Sequence, residues 1–184
     1  MTSAADEHRQ IAGRFTELVR GVPDDGWDAP SPVGEWLARD VVRHLVEWFP
    51  AFLESGAGVR LAEGPSVDDD PVAAWVTQSD AVQAVLDDPA TAGRTLSNRH
   101  VGDVPLNRAI NDFYTNDVFM HTWDLARATG QDETLDAAKC AELLARMVPY
   151  EEAMRSSGQY GPRVEVPDDA DVQTRMLAFI GRRP

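Results

Sequence analysis

Asp117, His121 and Asp124 lie four and three residues apart in the run Asn116 to Thr129, NDVFMHTWDLARAT, so a helix through this run stacks them on one side. At about 100° per residue, Leu106, Ile110, Phe113, Tyr114, Met120, Leu125 and Ala128 all fall within roughly 80° of Asp117, which puts the polar trio on the face that meets the core. A carboxylate there takes up a proton, pairs with a charge or coordinates a metal, because leaving it ionised and alone costs several kcal/mol. A second segment offers a partner: His44 falls within about 60° of Leu37, Val41 and Trp48 on a helix through residues 35–53, so it too points inward. Two imidazoles and a carboxylate converging from two helices form a common divalent-metal set, with the remaining coordination positions open to water or substrate.

Each of these residues also has a plainer reading. His44 alone fits a hydrogen-bonded core histidine, and Asp117 with His121 fits a structural ion pair. Asp124 is expected to pair with Arg127 or Arg43, or to hold the far ring nitrogen of a ligand histidine, rather than to ligate directly. The five tryptophans are first of all core residues, but Trp36 and Trp48 flank His44 closely enough to wall a pocket, and Tyr114 borders it from the Asp117 stripe. His8 reads as a helix-end residue, His100 as a solvated loop residue, and Cys140 as a packed thiol with nothing nearby to depress its pKa.

The elements that must position these groups are helical. Ser3 caps a first helix whose Ile11, Phe15, Leu18, Val19 and Val22 recur at helical spacing until Pro23. A second helix runs from Glu35 to Leu53, with a kink or break expected at Pro50, and Asp70-Pro71 opens a third that ends near Asp88-Pro89. Residues 91–103 carry no helical stripe and read as a loop with a short extended piece. The fourth helix spans Pro105 to Thr129 and closes at Gly130. Thr134 caps a fifth, with Leu135, Leu143, Leu144, Met147 and Val148 on its apolar side, and Asp168 or Asp169 caps a short terminal helix ending at Gly181. With no convincing strand alternation, this is an all-α bundle, in which metal and cofactor sites are built from inward-facing side chains.

The 184 residues suit one domain, and 17 basic against 31 acidic residues give a formal charge of −14 that repels phosphate backbones and anionic lipid, so no nucleic acid or membrane partner is expected. A single cysteine excludes an internal disulfide and a cysteine-held cluster and favours a reducing cytoplasm. The polar MTSAADEHRQ start has no apolar signal core, so residence where the chain is made is expected.

The segments WDAPSPVGEWLARDVVRHLVEW, DVFMHTWDLARATGQ and YGPRVEVPDDADVQTRMLAFIGRRP together resemble the actinobacterial metal-binding proteins related to mycothiol-dependent maleylpyruvate isomerase, within the DinB-like superfamily. The resemblance covers nearly the whole chain. It implies one DinB-like four-helix bundle domain over residues 1–184 with an additional short C-terminal helix, often a homodimer. It also implies a divalent ion (zinc, nickel, iron or cobalt) held by His44 in RDVVRHLV and by Asp117 and His121 in DVFMH. Where the isomerase has glutamate and many relatives histidine, this chain has the shorter Asp117, so contact through water, with Asp124 compensating, is an alternative to direct ligation. By the same resemblance the cosubstrate is mycothiol or another small-molecule thiol, the substrate an electrophile, and the activity that of a transferase or isomerase-like enzyme. The isomerase also has a catalytic C-terminal domain, for which little chain remains here, so isomerase activity itself is not expected. A non-catalytic metal- or ligand-binding bundle and a purely structural protein are the competing readings.

Overall fold

A computed structural model describes residues 2–99 and 102–184; His100 lies outside the described residues. Helix α1 covers Ala4–Gly21, α2 Ala38–Ala57 and α3 Pro71–Asp87. A hairpin of β1 (Thr95–Asn98) and β2 (Gly102–Pro105) leads into α4 (Leu106–Ala109), a π-helical turn (Ile110–Thr115) and α5 (Asn116–Thr129). The chain continues through α6 (Ala137–Met147) and α7 (Glu151–Ser156) to a short terminal helix, α8 (Val172–Phe179).

The principal interhelical contacts run α1 to α3, α3 to α2, α2 to α5 and α5 back to α1, which closes a four-helix ring, while α6 and α8 pack on each other. This is the expected all-α bundle with a short C-terminal helix. Phe15, Leu18 and Val19 of α1, Val41, Leu45 and Phe49 of α2, Trp75 and Val82 of α3, and Val118, Trp123 and Leu125 of α5 fill its core. At the α1–α3 seam Trp75 stacks edge-on against Phe15 at 4.5 Å and donates its indole N–H to Thr16 Oγ1 at 2.8 Å, so the ring buries its area without stranding a donor. Because α2 and α5 are neighbours in the ring, side chains on their facing sides can meet. No helix among the described residues is long and apolar enough to cross a membrane.

Local signals act largely where they stand in the sequence. Ser3 Oγ accepts from Asp6 N, Asp70 Oδ1 accepts from Ala73 N ahead of Pro71 at the first helical position, and Gly130 takes the left-handed conformation, φ 67°, that ends α5. Several expectations need correction. Helix α2 runs through Pro50 unbroken to Ala57, since the proline deprives only the Val46 carbonyl of its helical donor. It starts at Ala38 rather than Glu35, because Asp40 Oδ2 accepts from Leu37 N at 2.9 Å and fixes the first turn there. Asp136, not Thr134, caps α6, and Pro149 turns the chain out of that helix, which leaves Val148 half exposed rather than on the apolar side. Asp171, whose carboxylate accepts from Thr174 N, caps α8 in place of Asp168 or Asp169. The segment read as a loop with an extended piece forms the hairpin, Thr95 pairing with Pro105 and Leu96 with Val104.

His8 lies near the start of α1, as expected, but on its buried side. It is fully buried, its Nδ1 lies 3.1 Å from Thr115 Oγ1 in the π turn, and its Nε2 has no hydrogen-bond partner among the described residues. Burial holds its pKa down to about 4, with Arg9 lowering it further and the Ser79 backbone and Asp87 opposing. The folded protein therefore resists protonation that the unfolded chain accepts near pH 6.5, and stability is full above that pH and falls as the pH drops toward 4. Urea denaturation of chelator-treated protein should show this ring contributing a loss of about 2 kcal/mol between pH 7.5 and 5. The His8→Gln variant should follow a correspondingly flatter profile over that interval, and parallel profiles would contradict the account.

Candidate metal centre

The loop before α2 is tied to itself before it delivers any side chain. Trp36 N donates to Val33 O at 2.9 Å, Ser31 N to Trp36 O at 2.8 Å and Ala38 N to Ala29 O at 2.8 Å, so Trp36 is held over the start of α2. Its ring centroid lies 5.1 Å from that of His44 and 5.8 Å from that of His121. One helical turn past His44, Trp48 presents its indole N–H to the same space.

Asp117, in the first turn of α5, sits between the helices. Its Oδ2 is 3.0 Å from His44 Nε2 and accepts from Trp48 Nε1 at 3.1 Å, while its Oδ1 faces His121 Nε2 at 3.5 Å. The His44 and His121 rings approach edge-on at 4.9 Å. One donor atom from each of His44, Asp117 and His121 lies within 4.8 Å of both others. An ion bound at about 2.0–2.2 Å sets neighbouring ligand atoms roughly 3.0–3.6 Å apart, and donor atoms that all lie within 4.8 Å of one another are close to that spacing. The expected trio is therefore brought together. Its side chains grade from 31% exposed at His44 through 17% at Asp117 to 6% at His121, which leaves the His44 side open to solvent.

His121 is oriented from behind. Asp124 Oδ2 lies 2.8 Å from His121 Nδ1, so in the neutral ring the proton sits on Nδ1 and Nε2 keeps its lone pair toward Asp117. Asp124 is fully buried, and burial alone would push its carboxyl up, but the hydrogen bonds and charges of His121 and Arg182 outweigh this and hold it below the usual carboxylate range. Arg182 delivers a two-pronged contact, Nε to Oδ1 at 2.8 Å and Nη2 to Oδ2 at 2.9 Å. The expected support of a histidine by Asp124 is present; the expected arginine partners are not. Arg127 pairs with Glu133, and Arg43 with Asp40 and Asp68.

Tyr114 stands behind the centre rather than in it. It is fully buried and stacked on Phe49 at 4.2 Å, 6.1 Å from the Trp48 ring, and burial raises its pKa, with the Asp117 charge adding to the effect. Tyr160, absent from the sequence reading, feels both Asp117 and Arg182, and burial pushes its hydroxyl up to about 12. Arg182 was also missed. The available signal was the buried Asp124 itself, which demands a cation, together with two arginines after the Gly181 stop. Cys140 lies apart from the centre, buried on α6, its thiol pushed up to about 11 by burial and by Asp136 and Asp171.

The family described as mycothiol maleylpyruvate isomerase N-terminal domain matches residues 8–126, more than half of the chain, a span that holds His44, Asp117, His121 and Asp124 but ends before Tyr160 and Arg182. Two uncharacterized proteins of Mycobacterium tuberculosis, from strains CDC 1551 and H37Rv, are each 27% identical over 177 residues, covering 95% of this chain and 95% of their own. No solved structure gives a significant match.

Asp117 is a shared acceptor that joins α2 to α5. In chelator-treated protein, Asp117→Ala should lower the urea unfolding free energy by about 1–3 kcal/mol, because Trp48 Nε1 and His44 Nε2 lose their shared acceptor. An unchanged midpoint would show that these contacts do not hold the helices together.

Proposed function

This chain belongs to the mycothiol maleylpyruvate isomerase N-terminal domain family, and from that membership we propose that it holds one divalent metal ion on His44 of α2 and on Asp117 and His121 of α5. The observation that carries the reading is the mutual approach of the three donor atoms across the α2–α5 seam, with Asp124 holding His121 from its Nδ1 side. Two nitrogens and an oxygen suit zinc, nickel, iron or cobalt. The whole chain acts as one domain in this reading, and cytoplasmic residence and homodimer formation belong to the same proposal.

The solvent-open side of His44 favours a second, finer reading: use of a small-molecule thiol, mycothiol by family resemblance, against an electrophile in a transferase or isomerase-like reaction. A bound divalent ion with an open position lowers the pKa of a thiol or water and so supplies a nucleophile at neutral pH. The chain's own residues then have defined tasks. Trp36 lies over the two imidazoles and shields them on that side, and Trp48 holds one Asp117 oxygen in place. Asp117, one methylene shorter than glutamate, still approaches both imidazoles, at 3.0 Å from His44 Nε2 and 3.5 Å from His121 Nε2, which supports direct ligation over contact through water.

Untagged protein purified without chelator should contain about one equivalent of transition metal by plasma emission spectroscopy. The His44→Ala and His121→Ala variants should bind added zinc at least tenfold more weakly in a competition titration. Wild-type protein that neither carries nor takes up metal would remove this function and leave the trio as an ion-pair network. For the finer reading, consumption of at least one electrophile in a broad panel should require both thiol and metal, and turnover unaffected by chelation or by omitting the thiol would contradict it.

A further inference from the structure

The family match stops at residue 126, yet the chain's second-last arginine reaches back into the centre. Building on the metal reading above, we propose that Arg182 is a positioning residue of the centre: it locks Asp124, Asp124 locks His121, and occupancy of the centre is thereby coupled to the seating of the C-terminal segment.

The structure commits several features to bringing Arg182 to that place. Helix α8 ends in a turn at Gly181 with φ 90°, a conformation L side chains rarely adopt, and a Cβ there would come within 3.0 Å of the Gly161 backbone. Two glycines therefore let the chain cross itself at close range. The crossing is stitched by Arg155, which donates from Nη1 to Gly161 O at 2.6 Å and from Nη2 to Phe179 O, with its guanidinium 5.2 Å from the Phe179 ring centroid. The amide of Arg182 donates to Leu177 O at 2.9 Å and that of Gly181 to Ala178 O at 3.1 Å, which fixes the direction in which the Arg182 side chain leaves the backbone. That side chain is 14% exposed and its carboxylate partner 0% exposed.

Both Asp124 oxygens are engaged by the guanidinium, and one of them also meets His121 Nδ1. Loss of Arg182 frees the carboxylate to rotate, and a rotated Asp124 no longer holds the His121 ring in place. Glu133 and Asp68, which hold Arg127 and Arg43, leave neither of those side chains to replace it. Linkage then runs both ways: whatever the seated arm adds to metal affinity, bound metal returns as resistance of the arm to opening.

The test is a titration of chelator-treated, full-length protein with Co²⁺, followed by its visible absorption, alongside amide hydrogen exchange at Gly181 and Arg182. Arg182→Met should weaken Co²⁺ binding about tenfold and alter the absorption band, with Arg182→Lys, which keeps the charge but loses the fork, between it and wild type. Asp124→Asn should weaken binding about 10- to 100-fold, and the double variant Asp124→Asn/Arg182→Met should be no weaker than Asp124→Asn alone, because Arg182 acts through that carboxylate. Co²⁺ should slow exchange at Gly181 and Arg182 in wild type but not in Asp124→Asn. A general loss of packing predicts additive losses and an unchanged band, so wild-type affinity in Arg182→Met, additive losses, or exchange indifferent to Co²⁺ would each overturn the coupling while leaving the metal site in place. Absence of Co²⁺ binding to wild type would instead remove the metal reading and the coupling with it.

Discussion

The architecture of the centre depends on one bridging carboxylate. Asp117 is 17% exposed, and it meets an imidazole and an indole from α2 on one oxygen and an imidazole from its own helix on the other. A carboxylate in that setting is stable only while those partners surround it, and the partners come together only because α2 and α5 are neighbours in the ring of helices. The bundle thus sets the spacing, and the spacing lets one acid serve two imidazoles. His44 Nε2 is within hydrogen-bonding distance of one Asp117 oxygen, and His121 Nε2 faces the other at 3.5 Å, so the three groups share one small space at the α2–α5 seam.

Behind that acid stands a second, more deeply buried one. Asp124 is fully enclosed, and without compensation burial would neutralise it. Arg182 supplies the compensation from 58 residues away, which makes the last turn of the chain part of the environment of His121. The cluster therefore draws on different parts of the sequence: His44, Asp117, His121 and Asp124 lie within the family-matched span, and Arg182, which pairs with Asp124, lies beyond it. The gradient of exposure from His44 to Asp124 follows the same division, with the accessible face at α2 and the fixed face toward the C-terminus.

Much of this was legible in the chain because the relevant signals are local or periodic. Ser3, Asp70-Pro71 and Gly130 act on their own neighbours, and the stripe holding Asp117, His121 and Asp124 follows from helical spacing alone, as does the inward direction of His44. Where a choice depended on competing caps, the sequence was ambiguous: Thr134 and Asp136, or Asp168, Asp169 and Asp171, are chemically equivalent candidates, and tertiary packing of α6 on α8 selects among them. The π turn over residues 110–115 and the partner of Asp124 left no local trace. The turn meets α1 through the buried His8–Thr115 contact, and Arg182 is brought to Asp124 past a crossing of two glycine backbones, so both involve long-range contacts.

The most direct measurement of the central claim is anomalous diffraction at the zinc edge from crystals of the untagged protein grown with one equivalent of zinc. The account predicts a single strong peak at the α2–α5 seam, with His44 Nε2, His121 Nε2 and an Asp117 oxygen each at about 2.0–2.2 Å from it. Crystals that show the three side chains still joined by hydrogen bonds, with zinc elsewhere on the surface or not bound at all, would contradict it.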